Sequence, residues 1–576
     1  MPDSVIMDDY DQIAGSGDFD DFSQFVSPRD DLHAAPPPEG VIPLGYDRGI
    51  FYYLSQGNRQ VVALSAASHS KTALMSIASA THYWQRSRFN GERGIKWDDA
   101  IDWLMTECRA VGIFDPDRLR GRGAWVDNNR SVLHAGDRLI VGGVALPLEL
   151  HGSRYVYEAA RSIGAVDAAP LSNADAHRLV KICQSLRWEI GISGMLMAGF
   201  IAVAPICGGL AWRPSCWITG GSGSGKTWVN ENIISPALAG IALQVQSKTS
   251  EAGIRQLLGS DARPVIFDEF ESEDSASAAR VQGVLDLVRQ ASSETGGAIV
   301  KGSQTQSGAK TYRVRSSFWF SSINVGIEHQ ADDSRITVLA LRTAPAVQSK
   351  ADAEHFNALN AEVQRTITPE FAAGLLARSV KLLPVIRANA ETFAVAVALH
   401  LGSRRLGDQI GTLLAGAYSL HSDGLITPTQ AEEFVRRQDW ECGGSSGDVE
   451  RDEHKMLTHL TQSRVKIALG NSAPVEITLA RLVAASWGGD ERISADAAQS
   501  ELLAMGMRPD ANQGLFVSNT HPAIKRLMIG TPWAANWNRA LSRLPGAEHS
   551  GKAIRFGMMH QSRAVYVPRK TLEGDA

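Results

Sequence analysis

The sequence predicts an α/β fold: a central parallel sheet built around a Gly/Ser-rich turn, helical regions on both sides of it, and a C-terminal α+β, winged-helix-like module. Three observations carry this. CWITGGSGSGKTWVN (216–230) runs from a short apolar segment into six Gly and Ser residues and then Lys-Thr. Two later apolar segments, PVIFDEFE (264–271) and SSFWFSSIN (316–324), end in polar groups, as buried strands of such a sheet do. Across 213–345, strand-like and helix-like stretches alternate, the pattern of a parallel sheet wound with helices.

The chain has 576 residues, 44% of them hydrophobic, and a net charge of −5. A soluble globular protein of about three to four domains is expected. Charge is unevenly spread: residues 1–32 carry nine Asp against one Arg, and residues 521–570 carry nine Lys/Arg against one acid. Five scattered cysteines without a CxxC predict neither a disulfide framework nor a zinc site, so a reducing cytoplasm is expected. No basic, apolar leader is evident.

In chain order, 1–40 reads as an acidic disordered tail ending in AAPPPEG: a solvated segment, an interaction arm, or an acidic segment that mimics nucleic acid. Residues 41–169 read as an N-terminal α+β domain. FYYLS (51–55) and QVVALS (60–65) are strands joined by QGN, and 97–111 is a helix with Trp97, Ile101, Leu104, Met105 and Cys108 on one face. RLIVGG (138–143) is another strand. LRGRGAW places Arg118, Arg120 and Arg122 beside Trp125, either a solvated turn or a contact for a nucleic-acid strand. Residues 170–345 form the core with its preceding helices, which start near the cap SNAD. The uncharged stretch 190–212 has the length of a membrane span, but five glycines and Pro205 predict a buried helix of about 12 residues and a turn. No membrane contact is expected. Residues 346–440 read as a helical lid or bundle, ECGGSSGD (441–448) as a linker, and 449–576 as the C-terminal module.

The turn matches G-x-x-x-x-G-K-[ST], a P-loop: Gly220, Gly221, Ser222, Gly223, Ser224, Gly225, Lys226 and Thr227. Glycines let backbone N–H groups approach phosphate oxygens, and the following helix presents its positive N-terminal end. Lys226 neutralises β/γ-phosphate charge, and Thr227 can ligate Mg²⁺. ATP and Mg²⁺ are therefore the expected cofactors. About 40 residues on, the 264–271 strand delivers two carboxylates: Asp268 to hold the metal, and Glu269 to orient and deprotonate the attacking water. Asn324 ends a third strand, where it can hydrogen-bond the γ-phosphate or the lytic water, or act as an ordinary turn residue. Arg335 follows in DDSRI. It either reaches a neighbouring subunit's γ-phosphate or pairs with Asp332 or Asp333 on the surface.

The order GGSGSGKT, VIFDEFE, FWFSSIN and a trailing Arg335 resembles the AAA+ core of superfamily 3-type helicases, and more closely the helicase half of phage and prophage primase–helicases. APICGGL before the loop, RQASSETGGAIVKGSQTQSG, and the C-terminal FVSNTHPAIKRLMIGT and RAVYVP are similar to that group as well. The resemblance covers about 40–570. It implies a ring, usually a homo-hexamer, with ATP between subunits and DNA, single-stranded or forked, in the channel. It also implies a DNA-touching hairpin, here with Lys301 and Lys310 near its tip and Arg313 and Arg315 along the returning strand. Residues 1–165 contain no paired-carboxylate primase motif, so a separately encoded primase or replication protein is an expected partner. ATP hydrolysis follows from the residues, and helicase activity from the resemblance. An ATP-switched DNA-binding initiator or regulator, and a packaging or remodelling ATPase, are the alternative readings.

In the C-terminal module, EITLARLVAAS and SADAAQSELLAMG are two helices and LFVS a strand after the DANQG turn, the order helix, helix, wing. Its basic excess is the footprint of nucleic-acid binding or the surface of a protein-docking cap. Trp533 and Trp537 are expected in its core.

Overall fold

The computed structural model describes residues 40–573 apart from 165, 247, 269, 271–274, 295–298, 302–309, 324–333, 343–348, 441–451, 468–474, 491, 511–513, 530, 532, 534–536 and 559. The expectations for the tail 1–39, for the linker 441–448, and for Glu269 and Asn324 lie outside the described residues. The chain forms two compact units. One takes the chain to Arg118 with Tyr157–Ala159 and Val300–Lys310. The other takes Leu119–Val156, Ala160–Ile299 and Thr311–Ala576.

In the first unit the strands Val41–Asp47, Ile50–Ser55 and Val61–Ser65 make an antiparallel sheet. The predicted helix is present as Trp97–Val111, with Leu104 and Cys108 buried and Trp97, Ile101 and Met105 packed against the same core. Trp84 is fully buried there, and its indole N–H donates to the carbonyls of Leu74 and Ala78.

The second unit contains the parallel sheet: β1 Ser215–Thr219, β2 Leu243–Gln246, β3 Val265–Asp268, β4 Phe318–Ser321 and β5 Ile336–Ala340. The order is β2-β3-β4-β1-β5 and every pairing is parallel. Side chains alternate between faces along a strand. Trp217, Phe267, Phe318 and Phe320 enter one core with Val284 and Leu285, while Cys216, Ile218, Ile266 and Trp319 enter another. Both faces are covered, which is why these strands read as continuous apolar runs.

Four helices position the site. α1 (Ser193–Val203) is the apolar segment of 190–212, buried along nearly its whole length. α2 (Lys226–Val229) follows the loop and continues through a wider turn at Asn230–Ile234. α3 (Ser275–Ala291) covers the aromatic face, and α4 (Arg404–Ser419) crosses α1. At that crossing a Cβ on Gly199 would lie 1.9 Å from the Leu413 carbonyl oxygen, so only glycine admits this approach. Among the described residues no single helix is long and apolar enough to cross a membrane. Pro369–Lys381 and Leu383–Leu401 pass on composition together but are bent by 70°.

The C-terminal residues have their own hydrophobic core. The helices Leu479–Ser486 and Ala495–Ala504 are followed by the paired strands Met507–Pro509 and Gly514–Ser518, the predicted helix, helix, wing order. Two further strands extend that sheet. Trp537 is buried, its indole N–H 3.0 Å from the Ser518 carbonyl, and Trp533 packs beside it, so both serve the core.

Candidate nucleotide site

The loop 220–227 leaves the C-terminal end of β1. Gly225 is left-handed at φ +96° immediately before α2, where an L side chain would be strained. Gly220 passes so close to β5 that a Cβ would meet the Leu341 carbonyl at 2.7 Å. The Leu341 amide in turn donates to the Thr219 carbonyl at 2.8 Å, so the strand ends hold the start of the loop. Lys226 Nζ donates to the Gly220 and Gly221 carbonyls at 2.6 and 3.2 Å, which folds the ammonium over its own loop. Ser224 Oγ is shielded from solvent without a hydrogen-bond partner among the described residues, and Thr227 is exposed.

Asp268 ends β3, its side chain exposed at the same edge of the sheet. It is tied to the loop's helix by one residue that the motifs did not name. Asn230, buried one turn beyond Thr227, donates to Asp268 Oδ1 at 2.9 Å and accepts from Trp319 Nε1 at 2.8 Å. The signal in sequence was a polar residue on an otherwise apolar helix face, three positions after Thr227.

The backbone next to the two undescribed positions is fixed. Phe270, fully buried, donates its N–H to the Ser321 carbonyl at 2.8 Å on the far side of Glu269 from Asp268. Before Asn324, Thr219 Oγ1 donates to the Ile323 carbonyl at 2.7 Å and Trp217 Nε1 to Ser322 Oγ at 2.7 Å. The ends of β1, β3 and β4 therefore meet at one edge.

Arg335 is elsewhere. It precedes β5, whose first residue, Ile336, pairs with Ser215 at the start of β1. That is the opposite edge, about 13 Å along the strands from Thr219. Lys301 and Lys310 end and begin two short paired strands, Ile299–Lys301 and Lys310–Tyr312.

The other arginines differ from expectation. Arg315 is buried and donates to Glu294 Oε1 at 3.1 Å, and Arg313 lies 3.9 Å from the same carboxylate. Arg213, 1% exposed, binds the other oxygen of Glu294 and donates to the Cys207 carbonyl at 2.9 Å. Burial would raise the Glu294 carboxyl, but Arg213 and Arg315 overcome it and hold the group down at about 2. Arg313 and Arg315 thus belong to an ion cluster around Glu294 rather than to a row of phosphate contacts. The Arg-rich LRGRGAW turn is likewise structural. Arg120 is buried over the Trp125 and Tyr155 rings at 4.6 and 3.9 Å, and Arg122 donates Nε and Nη2 to Asp261 at 2.9 and 2.6 Å. Neither the solvated turn nor the strand contact describes these two.

No family model matches the chain, and no curated protein does. Among solved structures the chain is similar to the A-form apo structure of the NrS-1 C-terminal region, at 9% identity and a TM-score of 0.25, over 62% of this chain and 96% of that one. It is similar also to the apo structure of the NrS-1 C-terminal region (305-718), at 10% identity and a TM-score of 0.26, over 62% and 95%. Scores of that size carry no argument for fold or function.

Proposed function

We propose that this chain is a Mg·ATP-dependent hydrolase that moves DNA: a helicase or translocase of a phage or mobile-element replication system, working as a homo-hexameric ring of AAA+ type. The observation that carries the reading is the Asn230 bridge, which ties the loop ending in Lys226-Thr227 to Asp268 at one edge of a parallel sheet. Ligands of open α/β sheets bind outside the C-terminal strand ends, near the point where the strand order reverses; here the chain leaves β1 for β2 on one side of it, and the connection from β4 crosses β1 to reach β5 on the other.

The residues fit the nucleotide. The loop places a left-handed glycine at the helix N-terminus, a shielded and unpartnered Ser224 hydroxyl, a lysine over the loop and an exposed carboxylate beside it. Loop amides and Lys226 would hold the phosphates, and Thr227 and Asp268 the Mg²⁺. Bound Mg·ATP supplies a phosphoanhydride that water cleaves. Glu269 takes the proton of that water, and Asn324 helps orient it. Arg335, at the far edge, cannot serve its own loop and is assigned to a neighbouring subunit's γ-phosphate. Lys301 and Lys310 are assigned to DNA phosphates in the channel.

The test is the ATPase rate with and without single-stranded DNA, followed by unwinding of a forked duplex. Stimulated turnover and strand separation are expected. Protein that consumes no nucleoside triphosphate in either condition overturns the reading. A second reading, an ATP-switched initiator, rests on the basic C-terminal module. A footprint at one defined sequence without strand separation would favour it.

A further inference from the structure

Five of the nine Lys/Arg of 521–570 lie on or beside one small device. The strands Ile554–Phe556 and His560–Ser562 pair in the register Ile554↔Ser562, Arg555↔Gln561 and Phe556↔His560, a hairpin separate from the module's main sheet. Its base is anchored. Phe556 is buried, Ser562 Oγ lies 2.6 Å from Ser518 Oγ, and the Asn519 amide donates to the Arg563 carbonyl at 3.0 Å. His560 packs edge-on against His521 at 4.6 Å, and His521 caps the helix Pro522–Leu527, which carries Lys525 and Arg526. Helix and hairpin base are therefore neighbours.

Two features of this hairpin and its surroundings lie outside the module's core. Lys525, Arg526, Lys552, Arg555 and Arg563 are exposed, and none has a carboxylate partner among the described residues. At the turn, after a left-handed Gly557, Met558 is 87% exposed. A bare methionine at a tip costs apolar hydration and contributes nothing to the core.

We propose that this hairpin docks on duplex DNA, with Arg555, Arg563 and the Lys525/Arg526 helix end on phosphates and Met558 inserted as a wedge between base pairs. A two-stranded ribbon fits a duplex groove, and an apolar tip carried on a cationic stem is how groove-binding proteins unstack a base step. A protein partner would have to be strongly acidic to meet the same cations. The site is independent of the nucleotide chemistry proposed above.

The test uses the full chain carrying Lys226→Ala, without nucleotide, so that neither ATP turnover nor its absence bears on the result. Binding is followed by anisotropy of a labelled DNA duplex containing 2-aminopurine, and of the matching single strand, across a salt series. With Arg555→Ser and Arg563→Ser together, duplex affinity falls and the slope of log affinity against log salt drops by about 1.8, about 0.9 for each phosphate that is no longer neutralised. Arg555→Lys with Arg563→Lys restores the slope, and unchanged thermal melting shows that the variants are folded. Met558→Ser keeps the slope but abolishes the rise in 2-aminopurine fluorescence that accompanies binding. The proposal is overturned if the double Ser variant binds duplex as its parent does, if only single-strand binding weakens, or if the fluorescence rise is absent in the parent or persists in Met558→Ser.

Discussion

The two edges of the parallel sheet use polar residues in opposite ways. At the edge where the strands end, Thr227 and Asp268 are exposed, and Asp268 is held by one amide. At the edge where the strands begin, Arg213, Arg315 and Gln409 are buried, and their polar groups bond inward. Gln409 of α4 donates to the Ser215 carbonyl and Thr337 Oγ1, at 2.8 and 3.0 Å, and accepts from Trp212 Nε1 at 2.9 Å. The difference separates polar groups left facing solvent from polar groups used in construction. It also gives each edge its own expected failure: loss of turnover at one, loss of stability at the other.

The largest expected effect is at the open edge. Lys226→Ala should abolish ATP hydrolysis in a phosphate-release assay while leaving thermal melting unchanged, and Glu269→Gln should trap ATP and strengthen DNA binding. Glu269→Gln turning over at the native rate would remove Glu269 from its assigned role. At the closed edge, Arg213→Met leaves Glu294 and the Cys207 carbonyl short of a partner. It should cost about 1–3 kcal/mol in urea unfolding, the range for leaving a buried acceptor unsatisfied, because Glu294 is half exposed and keeps Arg315. The folded fraction should still bind nucleotide normally. Asn230→Ala tests whether the edges are as separate as described, because Asn230 serves both Asp268 and the core residue Trp319. A loss of about 1–3 kcal/mol, together with weaker Mg·ATP binding by calorimetry, is expected.

The smallest effect is with pH. The folded Glu294 carboxyl, at about 2, lies below its ordinary value of 4.5. A depressed carboxylate stabilises the fold above its unfolded pKa, and that contribution is lost as pH falls. The stability difference between the native chain and Glu294→Gln should therefore be full above about pH 4.5 and shrink toward pH 2. A constant difference across that window would show that the arginines around Glu294 do not stabilise its charge.

How much was legible in the sequence follows the same division. The loop, the strand end with its two carboxylates and the fully apolar strands are local patterns, and Ser215–Thr219, Val265–Asp268 and Phe318–Ser321 appear where those patterns lie. The helix 97–111 was legible from its periodicity alone. The closed edge was not. Arg213, Glu294 and Arg315 are far apart in the chain, and an arginine that will be buried looks in sequence like one that will face a phosphate. Arg120 and Arg122 misled for the same reason. Asn230 showed in sequence only as a polar position one turn after Thr227, and its partners, Asp268 and Trp319, lie on two distant strands.

The glycine crossing of α1 and α4 has a mechanical consequence. Where Gly199 meets Leu413 the two helices touch backbone to backbone, with no side chain between them at that point to absorb a displacement by changing rotamer. A displacement of one helix there is expected to move the other with it. Gln409, one turn earlier on α4, carries it on to the strands beginning at Ser215 and Ile336. Helices and sheet are then expected to shift as one body.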